Sequence, residues 1–149
     1  MGIFDKLFGK DTAKTVSKKV EGTKTTTKVS APSTDLRMFI DQNEAGVILE
    51  VASEAMQTLG AKLNEISEEA YMNGYNWEVL INYYLTQKYP QLLHGLTTDP
   101  EAEKYIASYA GVKADEKAAE LLDVLQQFIT DEAGLCVFVK NYQNEIEWD

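Results

Sequence analysis

The most regular apolar spacing in the chain runs from Trp77 to Tyr89. Trp77, Leu80, Ile81, Tyr84, Leu85 and Tyr89 recur at i, i+3, i+4, i+7, i+8 and i+12, which places them on one face of a helix. The stretch "NGYNWE" at residues 73–78 leads into that face. Gly74 is expected to permit the turn and Asn76 to cap the helix by accepting a backbone N–H. Trp77 then anchors the helix in the core, with Glu78 near its positive end. Pro90 takes Tyr89 out of helical geometry and stops the run, and "QLLHG" adds a short turn closed by Gly95.

Two further helices follow from the same periodicity. Between Ser53 and about Glu69, residues Ala55, Met56, Leu59, Leu63, Ile66 and Ala70 keep near a 3.6-residue period, with Ser53 as N-cap. Gly60 is the weak point where this helix can divide. "KADEKAAELLDVLQQFIT" buries Ala118, Leu121, Leu122, Leu125 and Ile129 on one side. Upstream, "LRMFIDQNEAGVILEVAS" predicts two strands, Leu36–Asp41 and Val47–Val51, around the turn "QNEAG", where Gly46 can take a positive φ. A calcium loop starting at Asp41 fails, because Ala45 and Ala52 stand where oxygen ligands are required.

Two segments stay open. In "TTDPEAEKYIASYAG", Asp99 as N-cap and Pro100 at the first helical position start a helix on which Ala102, Tyr105, Ile106 and Tyr109 share a face. Yet Tyr105, Ala107 and Tyr109 also alternate as in a strand, and local physics slightly favours the helix. The run Leu135–Val139 fits a closing strand or a short helix equally well. The fold class expected is α+β, a small antiparallel sheet packed against several helices.

"MGIFDKLFGK" sets Ile3, Phe4, Leu7 and Phe8 at helical spacing, and the Thr/Lys/Ser-rich stretch after it has too little apolar surface to order itself. Residues 1–34 are therefore expected to be an amphipathic start and flexible linker, and residues 35–149 a single domain. Charge separates the same two parts. Seven lysines against three acids give residues 1–30 a net +4, whereas residues 31–149 carry seven basic and twenty-one acidic residues, a net −14. Such a body repels nucleic acid and steers basic partners toward itself. The basic start allows weak membrane contact through residues 1–30. Cys136 is the only cysteine, no apolar run reaches bilayer length, and no secretory signal is evident, all of which fit the cytoplasm.

Candidate chemistry is sparse. His94 is the only histidine and lies beside Gly95, where a structural role at a helix end outweighs catalysis. One His and one Cys make a zinc site improbable, no glycine loop cradles phosphate, and no spacing singles out a carboxylate pair. The expectation is a protein with no catalytic residue, cofactor or metal. Tyr71, Tyr75 and Tyr83 lie off the apolar face of the Trp77 helix and are candidates for contact with a partner.

"NGYNWEVL", then "YP" and "QLL", then "TTDPEAEKYIASYA" together resemble the immunity protein 51 family, small bacterial proteins encoded beside polymorphic toxins. Asn73, Gly74, Tyr75, Trp77 and Glu78 match its first block, with Asn76 in place of the usual Asp. Asp99, Pro100, Glu101 and Ala102 match the second, with Tyr105 where Phe is more usual. The resemblance spans roughly residues 36–142 and leaves out the basic start. It implies a protein that binds and neutralises a cognate toxin, and a turn at Asp99–Ala102 leading into a strand rather than a helix. The rival reading is a peripheral membrane or regulatory adaptor tethered by residues 1–30.

Overall fold

A computed structural model of the protein describes residues 35–149. The expected amphipathic start, linker and membrane contact fall in residues 1–34, outside the described residues. Strands β1 (Leu36–Asp41) and β2 (Glu44–Glu50) form a hairpin, followed by α1 (Glu54–Ile66) and α2 (Gly74–Lys88). A single 3₁₀ turn (Pro90–Leu93), β3 (Thr97–Thr98), β4 (Lys104–Ala110), α3 (Ala114–Thr130) and α4 (Glu132–Tyr142) complete the order. The sheet is antiparallel throughout, in the order β1–β2–β4–β3. The fold is therefore α+β. Among the described residues no helix is long and apolar enough to cross a membrane.

The strand period of two sorts the sheet into faces. Leu36, Val47, Leu49, Tyr105, Ala107 and Tyr109 are buried together with the helices, and α3 packs across β1, β2 and β4. Trp77, Leu80, Ile81 and Leu85 bring α2 into the same core. The opposite face carries half-buried Phe39, Ile48 and Ile106, with Ile48 directly paired to Ile106. There Arg37 pairs with Glu50 at 2.8 Å, and Ser108 Oγ donates to Glu44 at 2.7 Å.

Several expectations require correction. The second strand starts at Glu44 rather than Val47, so the hairpin turn is only Gln42–Asn43, and Gln42 takes the positive φ of 37°. Gly46 lies inside β2. A Cβ there would come within 2.7 Å of Ser108 Cα, so this glycine serves close strand approach rather than a turn. Residues 104–110 are a strand, as the family resemblance implies, and not the helix that local spacing slightly favours. Tyr105, Ala107 and Tyr109 pair opposite Leu49, Val47 and Ala45, and that non-local partnership outweighs helix spacing. Leu135–Val139 belongs to α4, which Asp131 caps by accepting from the Gly134 N–H at 3.1 Å.

The helices otherwise follow the periodicity. Ser53 caps α1, its Oγ accepting from the Met56 N–H at 3.2 Å. Gly60 does not divide α1, and its bare α-carbon leaves room for Met72, whose Cβ would lie 3.0 Å from an added methyl. On α3, Ala118, Leu121, Leu125 and Ile129 are buried as expected, and Val124 and Phe128 join them while Leu122 is only half-buried. Pro90 ends α2 at Tyr89, and Gly95 follows the 3₁₀ turn with φ 80°. Tyr109 ties the sheet to that turn by donating its hydroxyl to the Leu92 carbonyl.

Candidate partner-binding surface

The two short blocks singled out in the sequence meet in space. Asn73 is extended, with φ −103° and ψ −176°, and its Oδ1 accepts from the Asn76 N–H at 2.9 Å. The N-cap of α2 is therefore Asn73, not Asn76, and Gly74 is the first helical residue. Its N–H donates to the Ala102 carbonyl at 2.9 Å. The second block makes a tight turn, with Glu101 and Lys104 exchanging backbone bonds of 2.8 and 3.2 Å and the Asp99 N–H donating to Ile106 at 2.8 Å. Pro100 lies within this turn, half-buried. Glu78 reaches back from α2 to accept the Thr98 hydroxyl.

Asn76 is buried and does something different from capping. Its Nδ2 donates to the Tyr71 carbonyl at 2.7 Å, and its Oδ1 accepts from the Asp149 N–H at 2.6 Å. A single amide thus pins the loop before α2 and the segment after α4. Trp77, the next residue, is fully buried, and its indole N–H has no partner among the described residues.

Beside this joint lies a groove of about 700 Å³. It is lined by Gly60, Ala61 and Asn64 of α1, by Tyr71 and Met72 of the loop before α2, and by Glu103. The rim loop is held in shape by Asn64, whose Nδ2 donates to the carbonyls of Glu68 at 3.1 Å and Ala70 at 3.3 Å. Tyr71 is fixed at its backbone, since its carbonyl also accepts from the Asn73 N–H at 2.9 Å. Its side chain is 73% exposed. Among the described residues the only carboxylate in the lining is Glu103, and no Lys or Arg lines the groove. Glu65, Glu68, Glu69 and Glu101 are exposed in the segments that border it. Lys62, the only cation of α1, bonds Glu132 of α4 at 2.6 Å.

The three candidate tyrosines do not form one patch. Tyr71 lines the groove, and Tyr75 is 41% exposed in the first turn of α2, beside the joint. Tyr83 is half-buried and donates its hydroxyl to Glu145 at 2.8 Å, with its ring 5.3 Å from that of Tyr142. The Glu145 carboxylate holds the Tyr83 proton so firmly that its pKa is pushed up to about 12. His94 is exposed at the end of the 3₁₀ turn. Among the described residues no three His, Cys, Asp or Glu side chains converge as a metal-ligand set.

The groove was not legible in the sequence, because its walls come from residues 52–64, 71–73 and 102–103 and meet only through the fold. A second cleft, of about 340 Å³, is likewise invisible in the sequence. Tyr84, Phe128, Phe138 and Tyr142 line it, with Tyr84 and Phe128 stacked at 3.8 Å. Tyr84 and Phe138 are aromatic positions on separate helices, so no short spacing announces their contact.

The arrangement is an antiparallel sheet backed on one face by helices, with an acidic recess and an exposed tyrosine beside the α2 joint. Residues 37–144 match the family Immunity protein 51, and the chain belongs to that family. No curated protein and no solved structure matches it.

Proposed function

We propose that this immunity protein binds and neutralises a cognate bacterial polymorphic toxin in the cytoplasm, by one-to-one association that requires no chemistry on the toxin. The observation that carries this reading is the family match over residues 37–144. The surplus of fourteen negative charges across residues 31–149 adds the partner's electrical character. A basic effector, such as a nuclease that must itself grip phosphates, is drawn to such a surface and associates faster at low salt.

The test turns on the open reading frame beside this gene, which is expected to encode a large modular toxin. Its C-terminal effector domain is expressed in bacteria with and without the full-length chain. Growth restored by co-expression, together with a one-to-one complex on size-exclusion chromatography, supports the reading. Undiminished toxicity at matched protein levels removes it.

A further inference from the structure

Resting on that reading, we infer that the groove between α1 and the Tyr71–Asn73 loop seats a lysine- or arginine-bearing segment of the toxin. Tyr71 is its aromatic anchor and Glu103 its carboxylate.

Four observations converge on this recess. It is the larger of the two clefts described above, at about 700 Å³. Among the described residues its lining has a carboxylate and no cation, and the one lysine of α1 is drawn away to Glu132 on α4. A cation entering it therefore meets negative charge with no competing cation from the described residues. The rim adds exposed Glu68 and Glu69, whose backbone is fixed by Asn64 and by the Tyr71 N–H, which donates to Glu69 at 2.9 Å.

Tyr71 supplies the fourth. Three hydrogen bonds hold its backbone, two of them accepted by its carbonyl from Asn73 and Asn76. The loop therefore pays little further ordering entropy when a partner docks, while the ring stands in solvent. An exposed tyrosine on a rigid backbone can stack on a guanidinium or ammonium group and is a residue type enriched at binding hot spots. The family blocks take on a second meaning in this light. The Gly74–Ala102 bond joins the two blocks, and through it Asn73, Ala102 and Glu103 are held together in the lining of the recess.

Affinity of full-length protein for the effector domain is measured by isothermal titration calorimetry for wild type, Tyr71→Ala, Glu103→Lys and Ala61→Arg. Ala61→Arg places a resident cation on an exposed helical position that lines the groove, where arginine is a good helix former. Asp123→Lys, at an exposed position of α3 outside the groove lining, makes the same charge change as Glu103→Lys and serves as control. Each groove variant is expected to weaken binding at least about tenfold with its melting temperature within a few degrees of wild type. The control is expected to weaken it less than about threefold. Wild-type binding with all folded groove variants within about twofold of it overturns the groove assignment and leaves the immunity reading standing. Absence of wild-type binding removes both. Equal losses in Glu103→Lys and Asp123→Lys, with Tyr71→Ala unchanged, also overturn the assignment, because net charge alone would then account for the affinity.

Discussion

The N–H of Gly74 donates to the carbonyl of Ala102 at 2.9 Å, and no side chain fits between the two segments that this bond joins. A Cβ on Gly74 would lie 2.9 Å from the Glu101 carbonyl carbon and closer still to the carbonyl oxygens of Glu101 and Lys104. The Asn73–Glu78 block and the Asp99–Ala102 block, separated by some twenty residues, are therefore two sides of one contact.

Gly74→Ala tests that contact. Helix propensity alone favours alanine by about 1 kcal/mol, yet the new methyl must displace backbone on a neighbouring segment, an overpacking cost of about 1–3 kcal/mol or more. The expected outcome is a net loss of about 2 kcal/mol in urea unfolding. Gly60→Ala is the comparison, because it meets the Cβ of Met72 at 3.0 Å rather than a carbonyl. It should shift stability by less than about 1 kcal/mol.

Trp77→Ala empties the largest fully buried site in the core and is expected to cost about 3–5 kcal/mol. An unchanged melting temperature combined with lost toxin binding would move Trp77 from the core to the interface. Trp77→Phe should lose far less, because the indole N–H has no partner to forfeit.

Asn76→Ala removes both ends of a bridge. The Tyr71 carbonyl and the Asp149 N–H each lose a bond to this buried side chain, and the expected cost is about 1–3 kcal/mol. Hydrogen exchange should rise at the Asn73 and Asp149 amides before it rises in α3. Uniform acceleration across the whole chain would show that the amide acts on global stability alone.

Alkaline pH should destabilise the fold through its buried phenols. Burial, with the nearby Glu120 carboxylate, pushes Tyr109 up to about 12, and burial drives Tyr105 in the same direction, helped by the neighbouring Tyr109 and Glu78. These protons are held more tightly in the folded chain than in the unfolded one, where tyrosine titrates near about 10. Their stabilisation is therefore complete below about pH 10 and is lost as pH rises toward 12. Chemical unfolding followed from pH 8 to 12 should show the decline beginning near 10. Tyr105→Phe removes a buried hydroxyl that has no partner among the described residues, so it should gain about 1 kcal/mol at pH 7 and make the decline above pH 10 shallower. A loss of stability at pH 7 would mean that the hydroxyl has a partner after all.

Local spacing carried much of the helical part. The Trp77 face, the Ser53 cap and the stop at Pro90 all rest on relations within about a dozen residues, and all three are present in the fold. The α2 cap is Asn73, three residues before the Asn76 that local spacing favours. Asn73 and Asn76 are equally good caps by composition, and what separates them is that Gly74 must lie against Glu101, so the helix begins there. Gly46 is similar: its sequence neighbours read as a turn, while the proximity of Ser108 keeps it in a strand.

The sequence by itself determined the α+β composition, the apolar faces of α1, α2 and α3, the acidic character of residues 31–149 and, through two short blocks, the family. These follow from period, cap and charge, which act between near neighbours or by simple summation. Tertiary structure alone decided that residues 104–110 take β2 as their strand partner, that Asn76 bridges Tyr71 to Asp149, and that Tyr71 and Glu103 line one recess. Each depends on partners far away in the chain, whose pairing and burial outweigh what any local window prefers.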